Sequence, residues 1–169
     1  MGKKFSSPSE NILAIDKLKT LIFNNSTCFL CTKPKSQPLM VNKMRTVKVD
    51  DNGNIWFMSS LNYFKSIGIE DNNQVRLLYS NPRNPEFLSI KGTASIHSDN
   101  IDIYEIWKHF AKPWFQGIKA DPNIILIKIT PKISYYWDIV NNKMIAMNQL
   151  LHLNDSENAI NNSIESNKN

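Results

Sequence analysis

Short β-rich apolar segments, each closed off by turn residues, limit what this chain can fold into more than any other feature. The sharpest case is Asp51-Asn52-Gly53-Asn54, which lies between the long, partly alternating stretch Pro38–Asp50 and the apolar Ile55–Ser59. An Asn-Gly pair accepts positive φ at little cost, so the two flanking stretches predict a β-hairpin. Comparable segments recur at Cys28–Thr32, Gln74–Tyr79, Phe87–Ile96, Asn123–Thr130 and Ser134–Ile139, the last two separated by Pro131. Leu88 and Ile90 alternate with polar neighbours, and Gly92 predicts a bulge or a close backbone approach.

Helical periodicity is confined to a few places. Ser9 is placed to cap a helix over Glu10–Phe23, where Ile12, Ile15, Leu18 and Ile22 recur at three- and four-residue spacing. A short helix is expected over Tyr63–Ile69. An amphipathic one is expected over Asn100–Ala111, with Ile103, Ile106, Trp107 and Phe110 on one stripe. About six strands with short links and flanking helices predict an α+β fold built on an antiparallel barrel or sandwich. Closing the sheet removes the edges such strands would otherwise expose.

With 169 residues and 41% hydrophobic content, the chain is long enough to bury one continuous core. The reading places a flexible N-terminus at residues 1–8, the folded domain at 9–153, and a polar Asn- and Ser-rich disordered tail at 154–169. The formal charge of +5 is spread along the sequence, so no nucleic-acid strip is expected. No apolar run is long enough to span a bilayer and no signal-like start is present, which predicts a cytoplasmic protein without membrane contact. Cys28 and Cys31 fall on opposite faces of their strand, so two core thiols are expected and no metal site.

The chain contains only five glycines. It has no Gly-rich phosphate loop, no nucleophile elbow and no His-Glu-x-x-His helix. A chain of this kind takes its chemistry from a bound cofactor. The stretch Ile55–Lys65 follows the Asp-Asn-Gly turn. Further on come Ile106-Trp107, Lys112–Gly117 with Trp114 and Phe115, Asp121-Pro122, Leu126–Pro131 and Tyr136-Trp137-Asp138. In order and spacing this series resembles the general-stress-protein branch of the pyridoxamine-phosphate-oxidase-like flavoproteins, over roughly residues 10 to 140.

That resemblance implies a split β-barrel acting as a homodimer, with FMN held in clefts between subunits. It further implies a flavin-dependent oxidoreductase working on a small-molecule electron donor or acceptor. A non-catalytic protein holding a flavin or another small anion is the alternative. Carried over by position, Ser59 falls beside the flavin or its phosphate, and Lys65 on the basic residue that contacts the phosphate. Phe57 and Met58 lie on the strand passing the isoalloxazine edge. Trp114 and Phe115 follow Pro113 in a loop, so one or the other is expected to line the dimer cleft. The family's Arg-Pro-Met phosphate anchor aligns with Asn42, Lys43 and Met44. Tyr63 and Phe64 replace a serine and a basic residue. Asparagine cannot supply the charge of an arginine fork, and strand alternation sets Lys43 and Arg45 on the face opposite Asn42.

Overall fold

The computed structural model of the chain describes residues 8–33, 38–70, 72–83, 85–98, 103–106, 108 and 123–147. The tail expected at 154–169, almost all of residues 1–8, most of the Asn100–Ala111 helix, and Trp107, Trp114 and Phe115 lie outside them. The order of elements is α1 (Pro8–Asn24), β1 (Thr27–Thr32), β2 (Met40–Val49), β3 (Ile55–Ser60) and α2 (Leu61–Ser66). It continues with β4 (Gln74–Ser80), β5 (Phe87–His97), β6 (Ile124–Asp138) and β7 (Lys143–Ala146). Residues 103–106 and 108 are helical.

The β2–β3 hairpin forms where the sequence places it. The Asp50 carboxylate accepts the backbone N–H groups of Asn52 (3.0 Å) and Asn54 (2.8 Å) and the indole N–H of Trp56 (3.0 Å). Gly53 takes φ 77°, the conformation that favours glycine. The Lys19 ammonium then ties α1 to the turn through Asp51 at 2.8 Å.

All strand pairings are antiparallel. The sheet order is β3-β2-β1-β4-β5-β6-β7, and an additional β3–β6 pairing closes the first six strands into a barrel. β6 makes the closure possible because it is long. It pairs with β5 along most of its length, with β3 through its first half and with β7 through its last residues. Alternation turns Leu30, Phe57, Val75, Leu77, Ile90 and Ile127 inward, each with no exposed surface. α1 adds Leu18, Leu21 and Ile22 to this core, and the segment around α2 adds Phe64, Ile67 and Ile69.

Four details depart from the sequence expectation. The buried face of α1 runs through Ala14, Leu18, Leu21 and Ile22, while Ile12 is 61% exposed. Leu18 and Ile22 keep the expected stripe, and Ala14 and Leu21 rather than Ile12 complete the buried face. α2 begins earlier than expected, since Ser60 caps it by accepting the Tyr63 N–H at 3.2 Å. Pro131 does not divide two strands. The register between β5 and β6 jumps from Lys91↔Ile133 to Gly92↔Pro131, so Lys132 is an extra residue and the proline sits at the irregularity it creates. The short β7 follows a turn at Asn142 (φ 50°) and makes a seventh strand.

Candidate functional site

The β2–β3 ladder is short. It covers Thr46↔Phe57, Lys48↔Trp56 and Val49↔Ile55, and no pair beyond them. Among the described residues, β2 before Thr46 pairs only with β1, and β3 after Phe57 pairs only with β6. Past this point the two strands no longer pair with each other, a split termed the fissure, and α2 follows directly from β3. If the register were continued, Met44 would face Ser59 and Asn42 would face Leu61.

The inward positions of the two lips are Asn42 and Met44 on β2 and Ser59 on β3. Asn42 lies opposite the fully buried Leu30, and Met44 opposite Cys28, so both point to the barrel interior. Met44 is buried. The side-chain nitrogen of Asn42 is buried and has no hydrogen-bond partner. The same holds for the hydroxyl of Thr32, on the inward face of the neighbouring strand. Leaving a buried donor unpaired costs roughly 1–3 kcal/mol, so a group that supplies an acceptor to Asn42 there is favoured. Ser59 is half-buried, and its hydroxyl makes only a 3.5 Å contact with the Ser60 carbonyl, too long to hold it.

The remaining sequence candidates divide. Lys65 stands exposed in the last turn of α2, the helix that follows β3. Tyr63, on the same helix, is half-buried, and burial raises its phenol pKa. Phe57 is enclosed in the core, so it offers a ligand its backbone and not its ring. Met58 and Lys43 point outward: Met58 shares a row with Leu126 and His97, and Lys43 lies beside Phe29. The β2 irregularity falls between Thr46 and Lys48, after these positions, so it does not turn Lys43 or Arg45 inward.

Alternation thus sets Asn42, Met44 and Ser59 on the inward side of the two strands, with Met44 and Phe57 in the core; Lys65 is exposed on α2, and Lys43 and Met58 point outward. Thr32 was not singled out from the sequence, because its neighbourhood exists only once the β1–β2 register is known. The donor set fits a flavin. It offers an amide and a hydroxyl for oxygen atoms, and the exposed Lys65 of α2 as a cation for a phosphate. Cys28 and Cys31 are both buried and lie on opposite faces of β1. Among the described residues, no group of three or more His, Cys, Asp or Glu could hold a metal ion.

A split barrel with a polar fissure between two of its strands is the class of protein this architecture defines. The family described as pyridoxamine 5'-phosphate oxidase like matches residues 14–159, and the chain belongs to that family. No curated protein matches it in sequence. Among solved structures it is similar to a protein related to general stress protein 26 from Clostridium acetobutylicum. That match has a TM-score of 0.66 at 15% identity and covers 89% of this chain and 99% of the other. General stress protein 26 from Bacillus anthracis superposes with TM-score 0.60 at 24% identity, over 78% and 97%. A general stress FMN/FAD binding protein from Xanthomonas citri gives 0.61 at 21% identity, over 78% and 89%. These likenesses are likenesses of fold. Among the described residues, no helix is long and apolar enough to cross a membrane.

Proposed function

We propose that the fissure binds FMN and that the chain is a flavin-dependent oxidoreductase of the general-stress type, working as a homodimer in the cytoplasm. The observation that carries this reading is the buried, unpartnered nitrogen of Asn42, on β2 beyond the point where the β2–β3 ladder stops. Family membership and a neighbour named for FMN/FAD binding support it. When bound, the flavin supplies hydride or electron transfer between small-molecule partners. Asn42 donates to an oxygen of the cofactor, Ser59 offers its hydroxyl, Met44 gives an apolar wall, and Lys65 neutralises phosphate charge. Two free thiols suit a reducing compartment.

A second reading, flavin binding without turnover, is favoured by the resemblance, which sets Asn42 where the family carries an arginine. Lys65 then bears most of the phosphate's affinity. A charge-assisted hydrogen bond is worth roughly 1.5–3 kcal/mol, so Lys65→Ala weakens FMN binding by about ten- to more than a hundredfold. Riboflavin, which has no phosphate, binds both proteins alike. Fluorescence titration of the two flavins against the two proteins measures this. Equal losses for both ligands, or no loss for either, would make Lys65 a solvated surface charge.

A further inference from the structure

The turn that joins β2 to β3 carries a chemically labile pair. Asn52 is the chain's only asparagine followed by a glycine, and it is exposed. Glycine has no side chain to shield its amide nitrogen or to restrict its backbone, so in an open chain that nitrogen readily reaches the carbonyl carbon of the preceding asparagine side chain. In the reaction that follows, the Gly53 nitrogen gives its proton to hydroxide and forms a bond to Asn52 Cγ. The Cγ–Nδ2 bond breaks, Nδ2 leaves as ammonia with a proton from water, and a five-membered succinimide remains. Water then opens the ring at one carbonyl or the other and leaves aspartate or isoaspartate. One water enters, one ammonia departs, and nothing is oxidised or reduced.

The folded turn opposes the first step. The Gly53 N–H donates to the Asp50 carbonyl at 3.0 Å, and Gly53 is buried with φ 77°. This is the arrangement of a type I turn followed by a left-handed glycine. In such a turn the residue before the glycine has ψ of about 0°, which swings the glycine nitrogen away from that residue's own side chain. The turn is also braced from within. One Asp50 carboxylate accepts the Asn52 and Asn54 N–H groups, the Asn54 side-chain amide and the Trp56 indole. The Asp50 N–H in turn donates to the Asn54 carbonyl at 3.0 Å.

The products fit this turn badly. Isoaspartate adds one carbon to the main chain between the Asn52 Cα and the Gly53 nitrogen, which disrupts the spacing that lets Asp50 reach both N–H groups. Aspartate sets a third carboxylate next to Asp50 and Asp51. We infer that Asn52 is a deamidation site that the hairpin keeps silent: it converts when the β2–β3 turn opens, and the isoaspartyl chain does not re-form the turn. Copies that linger unfolded are thereby marked irreversibly. The inference is independent of the flavin reading.

Peptide mass spectrometry of the full chain tests it, with the protein held folded in a mildly alkaline buffer and, in parallel, unfolded by guanidinium chloride in the same buffer. The mass gained on amide-to-acid conversion locates the site, and a protein isoaspartyl methyltransferase measures isoaspartate. Conversion at Asn52 is expected to be about a hundredfold or more slower in the folded protein, because only locally opened molecules react. Asp50→Ala keeps the Asn-Gly pair and removes the carboxylate that braces the turn, and it speeds conversion of the folded protein by about tenfold. After dilution from denaturant, the chains that resist protease carry asparagine or aspartate at position 52 and are depleted in isoaspartate. Conversion of folded wild type within a few-fold of the unfolded rate would overturn the inference. So would an unfolded chain whose Asn52 converts no faster than its other asparagines, a folded Asp50→Ala variant with wild-type protection, or isoaspartate as common in the protease-resistant fraction as in the whole sample.

Discussion

Gly92→Ala destabilises the fold by about 3 kcal/mol, a large share of the net stability of a domain this size. In an ordinary strand position the same change is mildly stabilising, by about 0.4–1 kcal/mol, because alanine restricts the unfolded chain. Geometry reverses the sign here. A Cβ on Gly92 would stand 2.4 Å from the Thr130 carbonyl oxygen and 3.2 Å from the Pro131 Cα. Both are backbone atoms of β6, paired there with β5 and anchored from the preceding residue, Ile129, onward by β3, so they cannot give way without disturbing those ladders. Urea unfolding should show a lower midpoint with an unchanged slope. A variant as stable as wild type would mean that the β5–β6 irregularity is not the tight approach described.

Alkaline pH should cost the fold even more. Cys28 faces the barrel interior, where burial pushes its thiol from 9.0 up to about 12, a hydrogen bond with Tyr79 pulling weakly the other way. Tyr79 is itself buried, shares a 2.7 Å hydrogen bond with the Thr46 hydroxyl, and is raised well above its ordinary value, chiefly by burial. A raised folded-state pKa fixes the sign. Below about pH 9 the thiol is protonated whether folded or unfolded, and its full contribution to stability is present. Above that, the unfolded chain releases the proton while the native state holds it, and stability falls by roughly 1.4 kcal/mol per pH unit. Over the interval of about 3 units to pH 12 the loss reaches on the order of 4 kcal/mol for Cys28 alone. Cys28→Ala, compared with wild type in denaturant series from pH 7 to 10.5, should start less stable and lose stability more slowly. Parallel pH profiles would show that Cys28 ionises as readily inside the barrel as outside.

Much of the fold was legible because local chemistry and final structure agree. The Asp-Asn-Gly turn, the alternation of Leu88 and Ile90, and the opposite faces of Cys28 and Cys31 are local patterns that tertiary contacts did not override. The misses share one cause. Ile12 reads as apolar stripe, yet it stands exposed, and which turn of α1 reaches the barrel depends on tertiary packing that buries Ala14 and Leu21. Pro131 reads as a break, and only the bulge across from Gly92 lets β6 continue. β7 has four residues, mostly exposed, too few to show a period.

The candidate site follows the same division. Ser59 and Lys65 are placed by a local strand-to-helix turn and could be singled out from sequence. Which lip Asn42 occupies, and that its amide is buried without a partner, depends on where the β2–β3 ladder stops.

The central claim, that the split between β2 and β3 is a flavin site whose phosphate anchor has been replaced at Asn42, is tested most directly by flavin titration of wild type and Asn42→Arg. The account predicts saturable FMN and riboflavin binding by wild type, with flavin absorbance that stays with the protein through gel filtration. Asn42→Arg should tighten FMN by about tenfold or more, since a bidentate charged contact replaces a neutral one, and leave riboflavin nearly unchanged. Absence of saturable flavin binding at millimolar concentration, or an arginine that weakens both ligands alike, would contradict it.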